Sequence, residues 1–260
     1  MKIDSLLRHS RDAYASLVTN SKSMVTTAGR YAADAGKVRW IWPDICQKLD
    51  LQNATSLFDI GCGYGSVTQQ CLRYAKKRNL SITLMDIPEI IASVRQDLLP
   101  TNQRSTVKFI EGLFPNHCPA SFLKKVQFDR VLLYSVIHYT TQPRRLIDAA
   151  VRLLRPGGRL LIGDIPNLNK KGRFLASPFG HRFEARYRNS KLSDIARYRS
   201  HQDFVNRNRT PQNAPFSDAL VLSVSRRYRK EGFDVFVLPQ PDNLPFCYTR
   251  EDLLICRPKD

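Results

Sequence analysis

The sequence predicts an α/β fold: a largely parallel sheet with helices on both faces, closed by an antiparallel pair of strands. Three observations predict it. From residue 56 onward, short apolar runs alternate with helical patterns, the order of successive β-α-β units. The first run ends in a glycine-rich turn that opens a helix. The last two runs, 234–238 and 252–256, have no helix between them, and strands joined that way pair antiparallel.

Residues 3–20 read as a helix with a stripe of Leu6, Leu7, Tyr14, Leu17 and Val18. A second helix is expected over 37–50, where Val38, Ile41, Trp42 and Ile45 recur at helical spacing and Pro43 falls early enough to be tolerated. Together these make residues 1–50 a helical extension, in which Tyr14, Tyr31 and Trp40 are candidates for a lid. The main domain is expected over 51–260.

The alternation then begins with strands at 56–60, 81–85, 107–110, 128–136 and 159–164. Helices are expected at 66–78, at 89–99 behind Pro88, and at 143–154, closed by Arg155-Pro156-Gly157-Gly158. Residues 166–215 break the rhythm. With 11 Lys and Arg against 3 Asp and Glu, they form a basic insertion between the fifth and sixth strands, with helices near 179–188 and 192–207. A helix at 217–231 and the two closing strands complete the domain.

Composition bounds the function more loosely. The 260 residues carry +18 of net charge, a field that attracts anionic partners: nucleic acid, phosphorylated or carboxylated small molecules, or a membrane surface. Six cysteines, at 46, 62, 71, 118, 247 and 256, form no CxxC pair and stand at no zinc-ligand spacing, so no metal is expected. Charges in the first eleven residues stand where a signal peptide needs an apolar core, and no run approaches the ~18 apolar residues of a membrane span. These features predict a cytoplasmic protein with reduced cysteines.

The sharpest motif is Phe58-Asp59-Ile60-Gly61-Cys62-Gly63-Tyr64-Gly65, between a strand and a helix. Glycines let such a turn bend tightly and bring backbone close to a ligand, and open α/β sheets bind ligands at their strand ends. The third glycine comes too early for a dinucleotide loop, and the acidic Asp59 suits a ligand ammonium better than a pyrophosphate. Asp86 closes the second strand, 25 residues after Gly61, where a carboxylate can accept both hydroxyls of a ribose or cap the helix behind Pro88. Beside the glycine turn, ribose binding is the preferred reading.

With these residues in hand, the chain resembles the class I S-adenosylmethionine-dependent methyltransferases over roughly 54–165 and the closing strands. FDIGCGYG, LMDIPE, FDRVLLYSVIHY and LLRPGGRLLIGD look like four of that family's motifs in order and spacing. The resemblance implies a Rossmann-like seven-stranded sheet with the last strand antiparallel, and S-adenosylmethionine as cofactor. It places Tyr134 and Ser135 beside the methionine and sulfonium, and Ile87 against the adenine. One departure stands out: where the family often carries an Asp that meets the adenine amine, this chain has Glu111-Gly112-Leu113. Glu111, or backbone atoms of Gly112 and Leu113, then have to serve.

More loosely, IPNLNKKGRFLAS and LPFCYTREDLLICRP resemble methyltransferases of bacterial polysaccharide and sugar modification. The expected reaction is therefore O-methylation of a small anionic or sugar-like acceptor, a nucleotide-sugar or a glycan. His138, just past the fourth strand, is the candidate base, because imidazole accepts protons near neutrality; a structural role at the strand end is the alternative. Arg173, Phe179, His181, Arg182 and Arg186, with Phe174 and Tyr187, are candidates for binding the acceptor, since arginine forks grip phosphates and carboxylates. Two rival readings remain: an RNA methyltransferase, favoured by the charge, and a non-catalytic protein that keeps the pocket and binds a partner through the basic insertion.

Overall fold

A computed structural model describes residues 35–99 and 107–259. The helix expected over 3–20, with Tyr14 and Tyr31, lies outside them. Two helices, α1 (Ala35–Val38) and α2 (Ile41–Leu49), precede the sheet. The order is then β1 (Ser56–Ile60), α3 (Ser66–Arg78), β2 (Ser81–Asp86), α4 (Pro88–Ser93), β3 (Val107–Glu111), α5 (Ala120–Lys125), β4 (Phe128–Tyr134) and α6 (Pro143–Val151). After β5 (Leu154–Pro166) come three helices of the basic insertion, α7 (Leu168–Leu175), α8 (Pro178–Tyr187) and α9 (His201–Asn208). The chain closes with α10 (Asp218–Lys230), β6 (Asp234–Pro239) and β7 (Arg250–Cys256).

The seven strands run in the order β3-β2-β1-β4-β5-β7-β6. Neighbours from β3 to β5 pair in parallel, and β7 is antiparallel to both β5 and β6, as the sequence predicts. Strand order reverses between β1 and β4, and such a switch point opens a crevice at the carboxyl ends of the strands.

Both faces of the sheet are covered, which is why its strands read as continuous apolar runs. Side chains alternate at period two between two cores. Leu57, Leu132, Leu161 and Leu254 face α2, α3 and α4, whereas Phe58, Val131, Leu160 and Leu253 face α6 and α10. Helix α2 belongs to the first core, burying Ile41, Trp42, Ile45 and Leu49. The buried Arg130 of β4 fastens the end of that helix by donating to the carbonyls of Leu49 and Asp50.

Several element bounds differ from expectation. The helix expected over 37–50 breaks at Arg39–Trp40. Strand β4 stops at Tyr134, not 136, because Ser135 turns to φ +58°. β5 starts before Arg155-Pro156-Gly157-Gly158 and runs through it, so the stop signal ends the helix without delaying the strand. In the insertion, Asn167 caps an unexpected helix, α7, accepting from the amides of Asn169 and Lys170. The helix expected over 192–207 shrinks to α9, which starts only where Ser200 caps it. A small separate core of Leu168, Leu175, Phe204 and Val205 holds α7 and α9 together.

Candidate active site

The turn after β1 is fixed by its backbone. The amides of Gly61 and Cys62 donate to the carbonyl of Met85 at 2.7 and 3.1 Å, and the Thr68 hydroxyl donates to the carbonyls of Cys62 and Gly63. Gly61 and Gly63 adopt φ of +73° and +66°, which side chains resist, and a Cβ at Gly61 would stand 2.5 Å from Val136. Gly65 is extended at φ −174° and opens α3, so the bend itself does not demand a glycine there.

A cavity of about 450 Å³ lies against this turn and the carboxyl ends of β1, β2 and β4. Asp59, Gly61, Cys62, Gly63, Tyr64, Gly65, Asp86, Ile87, Gly112, Leu113, Tyr134 and Ser135 all line it. Of the thirteen residues predicted to bind the cofactor, Glu111 alone does not. It points outward, exposed, and pairs with Arg95 at 3.2 Å.

Asp86 is held from two sides: its carboxylate accepts from the Gly63 amide and from the Ile87 amide, each at 2.8 Å. It does not cap the next helix, whose N-cap is Ile87 without a side-chain bond. Burial pushes Asp86 up to about 6. Asp59 is buried, and burial, with Asp86 close by, pushes it up to about 7. No ion pair to either carboxylate is found among the described residues. A buried and a half-buried acid on one cavity wall, with no cation beside them among the described residues, form a site that a ligand ammonium and a ribose diol would complete.

The far end of the cavity was not foreseen. Phe114, Pro115 and Asn116 line it opposite Gln142, Arg145 and Leu146. The Gly112 amide donates to the carbonyl of Asp86 at 2.8 Å, and the Leu113 amide donates to Nδ1 of His117 at 2.9 Å. Asn116 accepts from Arg145 at 3.3 Å. An asparagine three residues beyond the expected acid is the signal that could have drawn attention to this wall.

Past Tyr134, Ser135 (φ +58°) and Asp164 (φ +60°) face each other on adjacent strands, and the Ser135 hydroxyl donates to the Asp164 carboxylate. Asp164 sits in a bulge between β5 and β7, its amide donating to the fully buried Asp252 at 2.8 Å. Asp252 in turn takes Lys48 of α2 at 2.6 Å. Arg250 lies 3.9 Å from the Asp164 carboxylate.

His138 lies in a short 3₁₀ turn, with its ring 4.3 Å from that of Tyr139. It does not itself line the cavity, although Tyr139 does. Burial, then the charge of Arg250, push it down to about 4 against the opposing pull of Asp164. It is therefore neutral near pH 7, and its Nδ1 is buried without a hydrogen-bond partner among the described residues.

None of the residues predicted to bind the acceptor lines this cavity. Arg173 is bidentate to Asp218, and His181 Nε2 meets the carbonyl of Ile195 at 3.1 Å, so both have structural partners. Phe179 joins Phe174, Phe183, Tyr187 and Tyr248 in an aromatic cluster between the insertion and the β6–β7 connection. Arg182 and Arg186 are exposed on α8. Trp40 is exposed under Arg39 and stands away from the cavity.

Comparison with known proteins places this arrangement. Residues 58–160 match a family described as a methyltransferase domain. Acetylserotonin O-methyltransferase of Gallus gallus is 26% identical over 122 residues, 46% of this chain and 32% of that protein. The mitochondrial ubiquinone biosynthesis O-methyltransferase of Dictyostelium discoideum is 27% identical over 116 residues, 42% of this chain and 35% of its own length. A tRNA N(3)-methylcytidine methyltransferase of Schizosaccharomyces pombe is 27% identical over 168 residues, 57% and 53% of the two chains. The chain thus spans about a third to a half of the length of the curated relatives it matches. Among solved structures, the plantazolicin methyltransferase BpumL superposes with a TM-score of 0.57 at 13% identity, over 99% of both chains, a likeness of fold.

Proposed function

Since this chain belongs to the class I S-adenosylmethionine-dependent methyltransferases, we propose that it methylates a hydroxyl of a small anionic or sugar-like acceptor, such as a nucleotide-sugar or a glycan. The observation that carries the cofactor half of this reading is the pair of acids on the wall of the glycine turn, Asp59 buried and Asp86 half-buried. When bound, S-adenosylmethionine supplies an electrophilic methyl group on a sulfonium. Asp86 would hold the ribose, using the lone pairs its two backbone bonds leave free, and Asp59 offers the negative field for the methionyl ammonium. Tyr134 and Ser135 would flank the sulfonium.

The acceptor half rests on three supports. His138 is the candidate base: its ring is neutral near pH 7 and lies beside Tyr139 of the cavity wall, and a positioned base is worth ~10²–10⁴ in rate. Arg250 and Asp164 set the charge around it, and an imidazolium formed there gains from Asp164. Phe179, Arg182 and Arg186 present an aromatic and cationic surface suited to a charged ring compound. Calorimetry with S-adenosylhomocysteine tests the first half; no uptake by folded protein would end the proposal. Transfer of labelled methyl to a panel of nucleotide-sugars, glycans and phenols tests the second.

RNA as acceptor is the rival that one observation favours. Arg182, Arg186, Arg199 and Arg209 of the insertion are exposed, and their guanidinium groups pair with no carboxylate among the described residues. Methyl transfer to bulk RNA with affinity falling steeply in salt would establish that reading instead.

A further inference from the structure

The adenine end of the cavity departs from the expected pattern, and the structure shows what is left to read the base. The three residues first assigned there are already engaged. Glu111 turns to Arg95, the Gly112 amide goes to Asp86, and the Leu113 amide goes to His117, while the Leu113 side chain has no polar atom. The next stretch is different. Phe114 and Asn116 both line the cavity, and the Phe114 amide donates to no acceptor among the described residues. Asn116 brings a carbonyl oxygen, and Arg145 across the cavity donates to that oxygen at 3.3 Å.

We propose that Asn116 Oδ1 and the Phe114 amide read the amino-pyrimidine edge of the adenine, with Arg145 as the positioning residue that orients Asn116; this rests on the donor reading above. The adenine edge carries an amine N–H donor beside a ring-nitrogen acceptor. The wall offers the complement, a side-chain oxygen that accepts two residues from a backbone N–H that donates. Hypoxanthine reverses this edge, with a carbonyl oxygen beside a ring N–H.

A free asparagine could turn its amide over and serve either base. Arg145 removes that freedom, because a guanidinium has only donors. An overturned Asn116 would set its own N–H groups against those of Arg145. The oxygen is thereby kept in place, and the site selects adenine by leaving the wrong edge unpaired.

The test is calorimetry on the full chain with S-adenosylhomocysteine and its inosine counterpart, S-inosylhomocysteine. The wild-type protein should prefer the adenine ligand by ~10-fold or more, the worth of one or two neutral hydrogen bonds. Asn116→Ala should shrink the preference severalfold, since the accepting oxygen is gone, and leave only the part read by the Phe114 amide. Asn116→Asp, which can only accept when ionised, should keep the wild-type preference. Arg145→Met should shrink it, because the amide is then free to turn. A wild-type preference that survives undiminished in Asn116→Ala overturns the proposal, whether or not that change weakens both ligands equally. Equal affinity of the wild type for both ligands overturns it while leaving the donor reading intact; failure of the wild type to bind either overturns both.

Discussion

The turn after β1 and the basic insertion after β5 solve opposite problems. The turn is made of backbone: three amides donate across it and two glycines take dihedrals that side chains resist, so its shape hardly depends on which residues surround it. The insertion is made of side chains, with four buried apolar residues, an aromatic cluster and exposed arginines over a core of its own. A backbone-built site suits a ligand shared by a whole family, and a side-chain-built cap suits one that differs between members. The family match covers 58–160 and stops before the cap begins. The difference teaches where to look under the proposed function: cofactor affinity would be set at the turn, and acceptor choice at the cap.

Substitutions should separate the two regions cleanly. The largest effect belongs to the residue between them. His138→Ala should lower the methyl-transfer rate by ~10²–10⁴-fold while S-adenosylhomocysteine binds as before. A loss of rate matched by a loss of cofactor affinity would move His138 to the turn's side of the division. Unchanged turnover would remove it from the chemistry altogether.

Asp86→Ala acts wholly on the turn. It removes the acceptor of two backbone amides and the proposed ribose contact, and charged hydrogen bonds of this kind are worth ~1.5–3 kcal/mol each. Cofactor affinity should fall about 100-fold or more by titration calorimetry. If affinity holds, the turn does not bind the donor through this acid.

The same two acids give a pH signature. Asp59 near 7 and Asp86 near 6 hold their protons more tightly in the folded state than carboxylates do in an unfolded chain. The native state then binds more protons, so their contribution to stability falls as pH rises from about 4 through 7 in the free protein. They titrate as a coupled pair. A bound ammonium reverses the balance by favouring both charges. The rise in melting temperature caused by S-adenosylhomocysteine should therefore be larger at pH 8 than at pH 5.5. An equal rise at both would mean the acids do not meet the ligand's charge.

How much of this was legible in the sequence follows the same division. The strands, their order and the glycine turn could be read because burial on both faces writes long apolar runs, and positive dihedrals call for glycine at 61 and 63. The insertion was read poorly. Its first helix, α7, carries two lysines and Gly172 and looks like a loop; only the cap at Asn167 marks it. Arg173 and His181 carry the chemistry of ligand groups, yet their partners Asp218 and Ile195 lie 45 and 14 residues further on, beyond any local pattern. Asn116 was missed because the reading looked for an acid at one position, whereas the cavity wall continues for three more residues.

The smallest effect, and the sharpest test of the comparison, comes from the cap. Arg182 and Arg186 are exposed on α8, do not line the cavity, and form no ion pair among the described residues. Reversing both, Arg182→Glu with Arg186→Glu, should leave fold and cofactor affinity alone. Exposed charges attract through water and salt, so each is worth under ~1 kcal/mol, and the pair should raise KM for an anionic acceptor about three- to tenfold at low ionic strength. The difference should fade as salt is added, and kcat should hold, because neither guanidinium approaches the reacting atoms. A neutral acceptor should show no change. If KM for the anionic acceptor is unmoved, the cap's charge plays no part in choosing substrate; if cofactor affinity moves instead, the separation of turn from cap fails.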